Sequence, residues 1–181
     1  MLNNEERDFL LKLARNAIKV YLETGQTEII PATDPLLKEG RGAFVTLHKG
    51  AELRGCIGFL ESGKPLYETV CEMAVEAAVN DPRFPPVSLL ELAGLRIEIS
   101  VLTRPVKVFG PEAIVMKRDG VIVRRGNCQG VFLPQVAEET GWDKEKFLSV
   151  LCVHKAGLPD DAWKEKDTEL YTFQVEVFSE E

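Results

Sequence analysis

The sequence predicts an α+β fold: a mainly antiparallel sheet with packed helices. Strand and helix patterns intermix without the repeating βαβ period of a parallel sheet. A short turn, Lys49-Gly50-Ala51-Glu52, joins two apolar runs as a hairpin. At 181 residues the chain suffices for one full core, and two separate domains would each be small.

Asn3 caps the first helix with Glu6 as its box partner, and Gly25 ends it. Between them Phe9, Leu10, Leu13, Ala14, Ala17, Ile18, Tyr21 and Leu22 recur at helical spacing. Residues 26–42 are irregular. Strands follow over Ala43–Leu47 and Leu53–Leu60. Pro65 opens a helix whose stripe is Leu66, Val70, Met73, Ala74 and Ala77. It stops at Asn80-Asp81-Pro82, and three prolines keep 82–86 out of regular structure. Ser88 caps a short helical turn. Arg96–Thr103 alternates as a strand, with Ile97, Ile99 and Val101 on one face.

Asp119-Gly120 marks a turn before a strand over Val121–Arg125. Gly126–Gly130 reads as a loop, followed by apolar Val131-Phe132-Leu133. Pro134 and Gly141 bound one helix. Asp143 caps another that runs to Ala156, with Gly157 just beyond. Asp160–Lys164 is a helical turn, and Glu169–Phe178 is one long final strand. The whole chain, 1–181, is expected to be a single domain, with the irregular stretches 26–42 and 80–88 as bounds of a small subdomain.

Composition narrows the function classes. The chain is 45% hydrophobic and 28% charged, as an ordinary globular protein is. No apolar run approaches the ~20 residues of a membrane helix, and neither terminus reads as a secretory signal. A cytoplasmic location without membrane association is therefore expected. The net charge of −7 disfavours nucleic acid as a partner. Residues 96–125 nonetheless carry +4, which suits a small anion better than a duplex. Cys56, Cys71, Cys128 and Cys152 contain no C-x-x-C pair, and only His48 and His154 are histidines. No disulfide framework, metal site or cofactor is expected.

The chemistry concentrates in Leu53-Arg54-Gly55-Cys56-Ile57-Gly58. Alternation along a strand puts Arg54, Cys56 and Gly58 on one face and Leu53, Gly55 and Ile57 on the other. A cation ~7 Å from a thiol along that face favours the thiolate. Cys56 is thus a candidate nucleophile, with a buried small hydrophobe as the alternative. Gly55 and Gly58 leave room for a ligand or for another backbone. Asp81 and Arg83 share a proline-stiffened corner and could face a pocket, or pair with each other. Arg124 precedes and Gln129 lies within the glycine-bracketed segment Gly126–Gly130, whose N–H groups could face an anion, with a plain hairpin connection as the alternative. His48 would form a Cys–His pair if the hairpin register brought it to Cys56.

Five stretches together resemble one family, the AMMECR-type domain, whose prokaryotic members are called AmmeMemoRadiSam system protein A. They are FVTLHKGAELRGCIGFL (44–60), AAVNDPRFPPVSLL (77–90), IEISVLT (97–103), DGVIVRRGNCQGVFLP (119–134) and the region 155–178. The resemblance implies an α+β fold with a larger and a smaller subdomain around a mainly antiparallel sheet, and a cleft near the hexapeptide. It also implies Memo-like and radical-SAM proteins as partners, and it supplies no mechanism. Two functions follow as expectations. One is binding of a small anionic substrate in a modification pathway, with Cys56 and Asp81 as catalytic groups. Its ligand contacts would be Arg54, Gly55, Gly58, Arg83, Arg124 and Gln129. The other is a non-catalytic adaptor that uses the same groove.

Overall fold

The computed structural model describes residues 1–181. They form two compact units, one of Met1–Leu102 with Glu176–Glu181 and one of Thr103–Val175. The α+β expectation holds, with one four-stranded sheet associated with each unit.

The first unit begins with α1 (Asn4–Thr24), whose capping box and left-handed Gly25 terminus match the sequence signals. Its other elements are β1 (Ala43–Lys49), β2 (Glu52–Phe59), α2 (Leu66–Val79), α3 (Leu89–Leu92), β3 (Leu95–Leu102) and the end of β8 (Val175–Ser179). The strand order is β2-β1-β3-β8, so β2 is an edge strand. Gly50 takes φ +62 at the first central position of the β1–β2 turn, the left-handed value such hairpins require. Both β1–β2 and β1–β3 are antiparallel. One sheet face is apolar: Val45, Leu47, Ile97 and Ile99 are fully buried in one cluster with Leu10, Ile18, Val70 and Ala74 of α1 and α2. The opposite face presents Phe44, Thr46, His48, Arg96 and Glu98, all half-buried.

The second unit holds β4 (Val106–Val108), β5 (Gly120–Arg125), β6 (Cys128–Phe132), α4 (Pro134–Thr140), α5 (Lys144–Leu151) and β7 (Glu169–Phe173). Its sheet runs β4-β7-β5-β6 around a separate core that includes Val121, Val123, Phe147, Leu148 and Leu151.

The chain divides into these units at Leu102/Thr103 and Val175/Glu176, and the stretches 26–42 and 80–88 both lie inside the first. Three expectations are revised. Cys128–Gly130 is not loop: Gly126 at φ +57 closes a two-residue turn, so pairing resumes at Cys128. The helix expected to reach Ala156 is α-helical only to Leu151 and widens into a π-turn over Cys152–Ala156. The final strand is broken at Gln174 into β7 and β8, which join different sheets. Gln174 is fastened instead to Thr103, whose N–H donates to the Gln174 carbonyl at 2.9 Å and whose Oγ1 accepts from the Gln174 N–H at 2.8 Å.

Candidate functional site

From Arg54 to Gly58 the side chains of β2 alternate as the sequence demands. Gly55 is buried beneath α2, while Arg54 and Cys56 are half-buried on the other face. The glycines are filled rather than open. A Cβ on Gly55 would come within 2.2 Å of the Ala77 carbonyl oxygen, so the close partner is the backbone of α2. A Cβ on Gly58 would meet the Phe44 ring at 2.3 Å, because that ring lies across the strand at this point.

Cys56 has an outward-pointing N–H and C=O because β2 is an edge. The corner after α2 engages both. Asp81 accepts the Cys56 N–H at 2.8 Å, and Arg83 Nη2 donates to the Cys56 carbonyl at 3.2 Å. The same two side chains hold each other: Arg83 Nη2 donates to Asp81 Oδ2 at 2.7 Å and Nε to Oδ1 at 2.9 Å. The Arg83 N–H adds a bond to Asp81 Oδ1 at 3.1 Å. Asp81 is therefore buried, at 4% exposure, yet receives four donors. The Arg83 guanidinium holds its carboxyl well below the usual carboxylate range, and the Cys56 and Arg83 amides add to the effect against the opposing pull of burial. Asp81 stays ionised and occupied. Arg83 is 54% exposed along its side chain and lies 5.5 Å from the Phe84 ring centroid.

Arg54 turns to a partner the sequence did not reveal. Its Nε and Nη2 grip the two Glu91 oxygens at 2.9 and 3.0 Å, and Nη2 also donates to the Pro85 carbonyl at 2.9 Å. Hydrogen bonding from Arg54 lowers the Glu91 pKa against burial, with Lys49 assisting. The Arg54 charge is thus matched by a carboxylate rather than left beside the sulfur. The sulfur has a different neighbour. Thr46 stands directly opposite Cys56, and its Oγ1 donates to Sγ at 3.1 Å. The register shifts between Leu47 and His48, so His48 faces Leu53 and the register that would have brought it to Cys56 is not adopted. His48 Nε2 lies 3.8 Å from Glu98 instead.

The hexapeptide and the Asn80-Asp81-Pro82-Arg83 corner, separate in sequence, are therefore one bonded assembly. The AMMECR1 family profile matches residues 11–178 of a chain built this way. The chain belongs to the AMMECR1 family. A Methanopyrus kandleri protein is 51% identical, covering 98% of this chain and 89% of that one. A Pyrococcus furiosus protein is 47% identical over 99% and 90%. The crystal structure of an uncharacterised Pyrococcus horikoshii protein superposes with a TM-score of 0.84 at 46% identity, covering 99% of this chain and 94% of that one.

In this AMMECR1-family chain, Arg54, Gly55, Cys56, Gly58, Asp81 and Arg83 all lie in the first unit, whereas Arg124 and Gln129 lie in the second. Those two stand opposite each other on β5 and β6, with Arg124 Nε donating to Gln129 Oε1 at 2.9 Å. The Arg124 guanidinium lies 5.2 Å from the Tyr171 ring centroid. Sequence reasoning missed Thr46, Phe84 and Glu91. Only Thr46 was open to discovery, through a hairpin register that the bulge concealed. No helix of the chain is long and apolar enough to cross a membrane.

Proposed function

We propose that this protein binds a small anionic substrate at the Cys56 segment of β2, in a cytoplasmic modification pathway with the Memo-like and radical-SAM partners that the family resemblance implies. The observation that carries the reading is the double clasp on Cys56: Asp81 and Arg83 fix both of its backbone groups, while its side chain stays half-buried beside the Thr46 hydroxyl. Groups held this way need little reorganisation to meet a ligand. Arg83, whose side chain is 54% exposed, supplies the anion contact. Asp81 and Arg54 position: the first holds the strand, the second ties it to Glu91. Cys56 is the sulfur that meets the substrate, as nucleophile, carrier or close-contact wall. Arg124 and Gln129 are not needed for this reading.

The adaptor alternative has one observation in its favour. Leu90, next to the Glu91 that holds Arg54, is 93% exposed, and Leu89 is 44% exposed. A thermal-shift screen of anionic metabolites on wild type, Cys56→Ser and Arg83→Gln separates the two. Binding to the native state raises apparent stability. A shift present in wild type and lost in Arg83→Gln supports substrate binding. No shift with any anion, together with co-purification of a partner protein that Leu90→Asp abolishes, overturns it in favour of the adaptor.

A further inference from the structure

The second unit contains a cleft of about 690 Å³ that the β2 site does not use. That volume falls within the ~300–1,000 Å³ of small-molecule sites. It opens where the paired strands β4 and β7 part, with 109–111 on one side and 163–169 on the other.

The walls are pinned. Trp163 Nε1 donates to Ser149 Oγ at 3.2 Å, and Lys164 Nζ lies 4.7 Å from the indole ring centroid. Lys144 Nζ donates to the Pro111 carbonyl at 2.8 Å, which holds the other lip. Most charges along the cleft are matched within the protein. Lys107 pairs with Glu169, Lys164 with Glu145 at 2.9 Å, and Asp167 with Arg125 at 2.8 Å.

Two features are left over. Phe109 lines the cleft yet is 97% exposed, so its ring makes almost no contact with the rest of the chain. Lys166 lines the cleft as an exposed cation outside these ion pairs. An aromatic ring without partners at the lip of this cleft suits a planar ring. A lysine outside the paired set suits one carboxylate. Glu165, which also lines the cleft, disfavours a second negative charge.

We infer that this cleft binds a planar aromatic monocarboxylate, with its ring on Phe109 and its carboxylate on Lys166. The site is independent of the Cys56 reading and stands or falls without it.

An NMR titration of the full ¹⁵N-labelled chain with indole-3-acetate tests it, with indole and acetate as separate controls. Amide shifts should cluster at 107–111 and 163–169, be weaker with indole and absent with acetate. Phe109→Ala should raise Kd about fivefold by loss of ring stacking, and Lys166→Gln about threefold by loss of an exposed ion pair. Both side chains are exposed, so neither variant threatens the fold. Absence of shifts at the cleft up to the solubility limit, or a Kd unchanged by both variants, overturns the inference.

Discussion

Asp81→Ala should destabilise the fold by about 1–4 kcal/mol, and the sum can be traced bond by bond. The part-buried Cys56 N–H loses its acceptor, which costs about 1–3 kcal/mol. Arg83 is more than half exposed, so water replaces much of what it loses and that pair adds about 0–1 kcal/mol. For a chain of this size each kcal/mol moves Tm by about 2–4 °C. Asp81→Asn keeps an oxygen for the Cys56 N–H and falls between alanine and wild type. The pH dependence identifies the group. The folded-state pKa of Asp81 lies below the unfolded carboxylate value near 3.9. Its ionic contribution is therefore complete above about pH 4 and is lost as the pH falls further. The gap between wild type and Asp81→Asn should be widest at neutral pH and should narrow below about pH 4. Urea unfolding of the three proteins at pH 7, 5, 4 and 3 measures it. Variants within about 0.5 kcal/mol of wild type at pH 7, or a gap that does not change with pH, would refute the reasoning.

Gly55→Ala drives a Cβ to 2.2 Å from the Ala77 carbonyl and should cost about 1–3 kcal/mol by denaturant unfolding, with native-like stability as the contrary result. Maleimide at neutral pH should tag exposed Cys128 and half-buried Cys56 while sparing Cys71 and Cys152 until the chain unfolds, as read by peptide mass mapping. Burial pushes the Cys71 thiol up to about 12. The unfolded thiol ionises first, so its contribution is complete below about pH 8.5 and declines above it, and Cys71→Ala should flatten that decline. A peptide of residues 103–175 should unfold cooperatively by circular dichroism, because it carries its own core and its ends are hydrogen-bonded at Thr103 and Gln174; a featureless melt would show that the second unit needs the first.

Periodicity made most of the fold legible. The α1 cap, the β1–β2 hairpin and the α2 stripe all follow from spacing and turn chemistry that act within a few residues. The break at Gln174 was hidden because its cause, Thr103, lies 71 residues away. The site shows the same division. Gly55 and Gly58 were readable as places of close approach, but the approaching groups, Ala77 and the Phe44 ring, were not. Glu91 meets Arg54 across 37 residues, a separation that leaves no periodic trace. Arg54 looked like the cation for Cys56 because strand geometry gives the face of a side chain and not the direction of its far end.

We propose that the clasp on Cys56 does more than guard an edge. An unpaired edge strand invites association with another chain, and a lysine, a proline or a bulge is enough to discourage it. Here the device is a buried carboxylate, which costs several kcal/mol in desolvation before its hydrogen bonds offset it. It also requires a proline-stiffened corner to be aimed at a single residue of β2. Simple protection would be satisfied anywhere along the edge, and the clasp falls on the residue whose sulfur faces the polar side of the sheet. The two readings of the clasp separate in Asp81→Asn. If only the edge mattered, that variant would resist aggregation and keep any ligand bound at Cys56 with unchanged affinity. If the placement of Cys56 matters, ligand affinity falls while the protein remains monomeric.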